Sequence, residues 1–395
     1  MFSKKIVDSL GKSSMIRAMF EEGAKLKAKY GEENVYDFSI GNPDIEPPQQ
    51  VLDSLKRFAD SGEKGLHRYM SNAGYEDVRE KVAEYLQKKS GINLNHDNIL
   101  MVCGAAAGLN IVFKALLNPG DEVIVLSPFF VEYLSYIDNA EGKPVIVKTT
   151  KDTFKIDFET LENSITSKTK AIIMNSPNNP TGVIYSRESL EYMRYLVEER
   201  EEEFGTNIYI ISDEPYVSIV YDGVQVPNML SIFRNCITVN SFSKSLALPG
   251  ERIGYVAASS RIEEVNILMA AMISLNRTLG FVNAPALFQK VIAENLDVAV
   301  DTDFYQEKRN ILYNHLTSVG FKCVKPQGAF YLFMKAPIED DGAFCKTAVK
   351  YNLLLVPGSG FGCPGYARIA YCYDNSIIKA SLKAFTSLAE EYGLC

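Results

Sequence analysis

Five short apolar runs recur through the middle of the chain, at 123–126, 145–148, 171–174, 208–211 and 237–240. An earlier run at 99–102 and a later one from Tyr255 to Ala258 have the same character. Segments of helical period lie among them. Leu190, Met193 and Val197, for example, share one face between the third and fourth of the five runs. Near-continuous apolar strands separated by helices specify a mostly parallel sheet covered on both faces. Sheets of this kind bind ligands beyond the carboxyl ends of their strands. Chemistry is therefore expected at the residues just after each run.

The most informative of these ends lies in Cys236 to Tyr255, which reads CITVNSFSKSLALPGERIGY. A strand runs into Ser241, Ser243 and Lys244, then breaks at Pro249-Gly250, and Arg252 comes next. A lysine held there by buried structure loses charge through desolvation and becomes a nucleophilic amine. Two hydroxyls and an arginine suit a phosphate. Together they suggest pyridoxal 5'-phosphate carried as a Schiff base. The plainer alternative is a solvated lysine beside a serine-rich turn. A second anion site is offered by Gly104-Ala105-Ala106-Ala107-Gly108, between the 99–102 run and a helix carrying Leu109, Val112, Phe113 and Leu116. Such a turn puts bare N–H groups at a helix N-terminus, although small residues also serve close packing.

Three further strand ends carry functional groups. Phe129-Phe130 comes after 123–126, NSPNNPTG (Asn175 to Gly182) after 171–174, and SDEPY (Ser212 to Tyr216) after 208–211. Each has a plain explanation alone: aromatic core, Asn-Pro turn, helix cap. Together they align an aromatic, an amide, a carboxylate, a phenol and a lysine along one sheet edge, a convergence expected of a site. A carboxylate at a buried strand end needs a cationic partner, and a protonated pyridine nitrogen is one. Asparagine and tyrosine can hydrogen-bond the ring's phenolic oxygen, and a flat aromatic can stack on the ring. An arginine elsewhere can take a substrate carboxylate bidentately.

Composition closes off other classes. A chain of 395 residues is long for one core and suits two domains. Lys+Arg 41 against Asp+Glu 49 gives a net charge of −8, which argues against nucleic-acid or anionic-membrane partners. No run reaches membrane-spanning length, and the basic N-terminus lacks the apolar core of a secretory signal. The 7 scattered cysteines read as reduced thiols in a cytoplasmic protein. With only His67, His96 and His315, no metal site is expected. No GxGxxG comes after the first strand, and Gly358 to Gly362 does not lead into a helical pattern, so a nicotinamide-binding reading is weak.

Away from the sheet, residues 14–30 have helical period, with Ile16, Met19, Phe20 and Leu26 on one face. Gly41-Asn42-Pro43 reads as a loop whose backbone could approach a ligand closely, with a plain turn the favoured reading, and Glu198 to Glu203 reads as a solvated helix face. Beyond about residue 300 the pattern changes. A helix at 303–318, strands at 321–324, 329–334, 353–356 and 367–371, and a helix at 376–392 suggest an α+β unit.

With NSPNNPTG, SDEPY and SFSKSLALPGERIGY in this order, the chain resembles the fold-type-I, pyridoxal-phosphate-dependent class I aminotransferases, the group of the aspartate, aromatic and kynurenine enzymes. The resemblance runs from Ser39-Ile40-Gly41-Asn42-Pro43 to Ala367-Arg368-Ile369-Ala370. It implies an α/β fold with a mostly parallel seven-stranded sheet in a large domain at 46–290. A smaller α+β domain would combine 1–45 with 291–395. It further implies Lys244 as the cofactor-bearing lysine and proton shuttle, Asp213 on the pyridine nitrogen, Asn179 and Tyr216 on the ring oxygen, and Phe130 stacked on the ring. Gly104, Ala105, Ala106, Ser241, Ser243 and Arg252 would form the phosphate cup. Tyr69 would reach the phosphate across a homodimer interface. Arg368 would take the α-carboxylate, helped by Asn179 and the backbone at Ile40 and Gly41. No metal is implied.

Two departures bear on substrate. Ala106 stands where bacterial aspartate enzymes of this subgroup often carry a lysine, and the chain has no tryptophan for the stacking position. Neutral or aromatic amino acids are therefore expected to compete well with aspartate and glutamate. Arg277 lies near where some relatives place a side-chain-reading arginine, and otherwise reads as a surface or interface residue. The expected activity is amino-group transfer between an L-amino acid and a 2-oxo acid in amino-acid biosynthesis. A lyase sharing the same cofactor shell (a carbon–sulfur β-lyase or an aminocyclopropane-carboxylate-synthase-like enzyme) and a non-catalytic effector-binding domain are the alternatives.

Overall fold

The computed structural model describes residues 2–10, 23, 25–29 and 31–395. Most of the helix expected at 14–30 lies outside these; residues 25–29 are helical, with Leu26 buried.

Among the described residues, twelve strands form three sheets. In chain order they are β1 (Tyr36–Asp37), β2 (Ile99–Val102), β3 (Glu122–Ser127), β4 (Lys143–Lys148), β5 (Thr169–Asn175), β6 (Tyr209–Asp213), β7 (Cys236–Ser241), β8 (Gly254–Ala258), β9 (Tyr331–Lys335), β10 (Leu353–Leu354), β11 (Val356–Pro357) and β12 (Tyr366–Ala370). The large sheet has the order β2-β8-β7-β6-β5-β3-β4. Its neighbours are parallel except β8, which runs antiparallel to both β2 and β7.

The apolar runs are continuous because both faces are covered. Val123, Val125, Ala171 and Ile173 join one buried cluster, whereas Ile124, Leu126, Ile172 and Met174 join another. This is the period-two alternation of a sheet sandwiched between helices. The edge strand β4 is largely exposed and has a lysine at each end, which blunts edge-to-edge pairing. Glycine ends two of the flanking helices in the left-handed conformation: Gly91 after Glu76–Ser90 and Gly205 after Arg187–Phe204.

The C-terminal part builds an antiparallel sheet, β11-β12-β9. With helices Thr302–Ser318, Asp341–Val349 and Asn375–Glu391 it encloses a third cluster, which also takes in Phe38 and Tyr216. Residues near the N-terminus join this part through β1, which pairs in parallel with β10.

Two expected strands differ. Residues 321–324 contribute only an isolated bridge, Cys323 to Met334. Pro326 lacks a donor, and the chain turns so that Gln327 and Gly328 donate to the Gly182 carbonyl. The run 353–356 is divided, because Leu353–Leu354 pairs with β1 and Val356–Pro357 with β12. Nor is Glu198 to Glu203 wholly solvated: Glu201 accepts hydrogen bonds from Ile208 N and Asn235 Nδ2.

Candidate active site

The carboxyl ends of β3, β5, β6 and β7 bring their trailing residues to one cavity of about 200 Å³. Ala105, Ala106, Phe130, Asn179, Asp213, Tyr216, Ser241, Ser243, Lys244 and Arg252 all line it, as expected from their order in the sequence.

Lys244 lies in a one-turn helix, Phe242–Ser245, directly after β7. Its Nζ donates to the Gly41 carbonyl at 2.8 Å and lies 5.6 Å from the Phe330 ring centroid. Burial pulls the amine down to about 8, while Arg252 and Arg368 push the same way and Cys372 opposes them. Much of its population is therefore neutral near pH 8, the state a nucleophilic amine needs. The Gly41 turn is part of the site, then, and its glycine is required. A Cβ there would stand 2.0 Å from the Tyr331 hydroxyl.

Asp213 closes β6 beside Asn175, the last residue of β5. Its carboxyl is pushed up to about 7 by burial, with the Tyr133 hydroxyl pulling down. Tyr133 donates to Oδ2, whereas Oδ1 is buried with no hydrogen-bond partner among the described residues. A carboxylate this deep, with one oxygen held and the other bare, fits a ligand N–H⁺. Asn175 Nδ2 donates to the Asp213 carbonyl at 2.9 Å, and Asn175 Oδ1 accepts from Asn179 N at 2.7 Å.

At the other end, helix Gly104–Leu116 opens on the cavity, and its N-cap Cys103 makes no side-chain cap bond. Its first N–H groups are thus left for an anion. Gly104 has φ +78°, and a Cβ on it would meet the Arg252 guanidinium at 2.6 Å. Arg252 itself has φ +52°, a strained conformation for a non-glycine residue, and its Nη1 donates to Pro249 O at 3.1 Å and Ser243 Oγ at 3.5 Å. Helix terminus, hydroxyls and guanidinium together make a phosphate-sized cup. The donor set therefore fits a phosphorylated pyridine at both ends.

Arg368, on β12, is 3% exposed. It donates from Nη2 to Ser39 O at 2.6 Å and from Nη1 to Asn179 Oδ1 at 3.2 Å, and it lies 4.8 Å from the Tyr331 ring centroid and 4.7 Å from that of Phe361. Its Nε is buried with no hydrogen-bond partner among the described residues. Tyr216 shares a 3.0 Å hydrogen bond with Tyr331, and burial holds its phenol well above the usual range. Ile40 contributes its carbonyl, which accepts from Tyr373 at 3.2 Å. Phe129, unlike Phe130, is turned into the core, where Gly362 packs against it. Tyr69 is 91% exposed and does not line the cavity.

Tyr133, Tyr136 and Asn175, to which the sequence assigned no role, also line the cavity. Phe130, Tyr133 and Tyr136 recur every third residue after a strand end, a helical stripe equally consistent with a cavity wall or the core.

Residues 33–385 match the family model described as aminotransferase class I and II, and the chain belongs to that family. It is a pyridoxal-phosphate-dependent aminotransferase. Among its relatives, an aspartate aminotransferase of Thermotoga maritima is 35% identical over 362 residues, covering 90% of this chain and 92% of its own. An aspartate/prephenate aminotransferase of Thermus thermophilus is 32% identical, with 88% and 89% covered. The crystal structure of an amino transferase from Eubacterium rectale, 43% identical, superposes with a TM-score of 0.96 over 100% of both chains. The Thermus thermophilus aspartate aminotransferase with maleate, 28% identical, gives 0.85, covering 95% of this chain and 96% of that one.

Proposed function

We propose that the cavity is the transamination site and that its residues divide the work of binding, orientation and proton transfer. The carrying observation is one set of groups: the Lys244 amine, held by the Gly41 carbonyl, with Asp213 Oδ1 and Arg368 Nε, both buried with no hydrogen-bond partner among the described residues. When bound, pyridoxal phosphate supplies an aldehyde that accepts the amino group and a ring that takes up electrons released at the substrate Cα. The cup formed by Gly104, Ala105, Ala106, Ser241, Ser243 and Arg252 holds the phosphate, and Phe130 covers one ring face. Asp213 faces the ring nitrogen and favours its protonated form. Asn179 and Tyr216 take the ring oxygen. Arg368, with Asn179 and the Ile40–Gly41 backbone, orients the α-carboxylate of an L-amino acid or 2-oxo acid. Lys244, freed from Gly41, carries the proton to and from Cα.

We read the chain as a large domain at 46–290 and a small one combining 1–45 with 291–395. The antiparallel sheet of the C-terminal part, joined by the N-terminal segment through β1 and β10, supports that division. We read the working unit as a homodimer in which Tyr69, exposed here, completes the partner's phosphate cup. Among the described residues no helix is long and apolar enough to cross a membrane, and seven free cysteines support a cytoplasmic setting. A role in amino-acid biosynthesis accords with the reaction.

The test is a half-reaction screen: purified enzyme with single amino acids, monitored by the absorbance of the cofactor's amine form. Its appearance, reversed by a 2-oxo acid, is expected. Release of pyruvate and ammonia in its place identifies a lyase.

A further inference from the structure

Glu132 is a carboxylate that none of the roles above uses. It opens helix Glu132–Asn139, between Phe130 and Tyr133 and one turn before Tyr136, and all three of those aromatics line the cavity. Its Oε2 is shielded from solvent and has no hydrogen-bond partner among the described residues. It lies within electrostatic reach of Arg368, Tyr136 and Tyr331. Burial raises its carboxyl above the usual range, while its own backbone amide and Arg368 pull it back.

Arg368 fixes where an amino acid would sit, because its guanidinium holds the α-carboxylate on the reading proposed above. A side chain extending from that position toward the wall made by Phe130 and Tyr136 approaches the helical turn that carries Glu132. An unpaired buried carboxyl oxygen is costly until it accepts a hydrogen bond. A ligand N–H or O–H supplies one, whereas a second carboxylate supplies none and adds repulsion. The residue at the first turn of the cavity's anion-binding helix, Ala106, brings no cation that would reverse this preference. Discrimination by a built-in repulsive group is a common route to specificity.

We propose that Glu132 reads the substrate side chain, selecting L-amino acids that end in a hydrogen-bond donor (amide, hydroxyl or ammonium) over those that end in a carboxylate. The proposal rests on the transaminase reading of the cavity. It sets this chain apart from relatives whose names specify aspartate.

The test compares the holoenzyme with Glu132→Gln and Glu132→Ala in single-turnover half-reactions on asparagine, glutamine, lysine, aspartate and glutamate. The readout is the ratio of kcat/KM for each amide to that for its own dicarboxylate. In the wild type the ratio should favour the amide, and Glu132→Gln should move it toward the dicarboxylate by on the order of tenfold to a hundredfold. A ratio unchanged in both variants overturns the proposal, as does a wild type that prefers aspartate to asparagine. Arg277→Ala adds a third arm. A selective loss for aspartate and glutamate means that a partner's arginine neutralises this wall, and the proposal fails. Failure of the transaminase reading looks different: ammonia is released and no amine-form cofactor accumulates, while the ranking of substrates by consumption still judges Glu132.

Discussion

The carboxyl of Asp213 should leave a signature in the stability of the cofactor-free chain. Folded, burial holds it at about 7; unfolded, it titrates near the ordinary value of about 4. Three units of difference correspond to on the order of 4 kcal/mol. The folded chain binds the extra proton between those two values, so this contribution is fully present below about pH 4 and lost as pH rises through about 7. Glu214, likewise pushed by burial to about 7 against the pull of Ser212, adds a parallel loss. Asp213→Asn removes one of the two titrations, so the fall in stability between about pH 4 and about pH 7 should roughly halve. The asparagine leaves an amide N–H unmatched, but that penalty does not vary with pH, and the slope therefore isolates the carboxyl. Urea denaturation of the cofactor-free protein at one fixed concentration, repeated across this range, measures it. With pyridoxal phosphate bound, the carboxylate gains a cationic partner and the wild-type slope should flatten. Equal slopes for wild type and Asp213→Asn would refute the reasoning and leave Asp213 an ordinary strand end.

The same geometry sets other outcomes. Lys244→Ala should abolish multiple turnover while phosphate-cup binding of pyridoxal phosphate persists, measured by equilibrium dialysis; turnover near the wild-type rate would remove Lys244 from the mechanism. Arg368→Lys should raise KM for every amino acid together, by about tenfold or more, because a point charge cannot reproduce the planar fork; steady-state kinetics on several amino acids checks it. Gly41→Ala forces the strap formed by residues 39–41 away from Tyr331 and displaces the carbonyl that holds Lys244. A fall in kcat/KM of about tenfold is expected, since small misplacements at a reacting group are costly.

Much of the site could be read in the sequence because strand ends are marked twice, by the apolar run and by the group after it. Asp213, Lys244 and Asn179 each came after a run whose identity as a strand was plain, and the sheet delivered them to one edge. Tyr133 and Glu132 carried no such mark. They belong to a helix whose orientation depends on how it packs, and the aromatic spacing alone could equally have faced the core. The bond from Lys244 to the Gly41 carbonyl was hidden for a different reason, although the resemblance had placed the Gly41 backbone at the site. Its two ends lie 203 residues apart, and nothing local distinguishes that turn from any other. The division of 353–356 between two sheets likewise reflects long-range pairing rather than propensity.

Three successive carbonyls, those of Ser39, Ile40 and Gly41, are taken by Arg368, Tyr373 and Lys244, across separations of 329, 333 and 203 residues. Order of synthesis makes this a clock. As the chain emerges, the large sheet has all its strands by Ala258, long before β12 exists to receive the strap. The strap must wait, since contacts this distant cannot form until both ends are made, and closing so long a loop is slow. A nascent chain halted before residue 366 thus holds Lys244 and Asp213 on a formed sheet edge but lacks Arg368 and Tyr373, two of the three anchors of residues 39–41. Such a chain can carry cofactor before it can orient a substrate, so competence for amino acids arrives last.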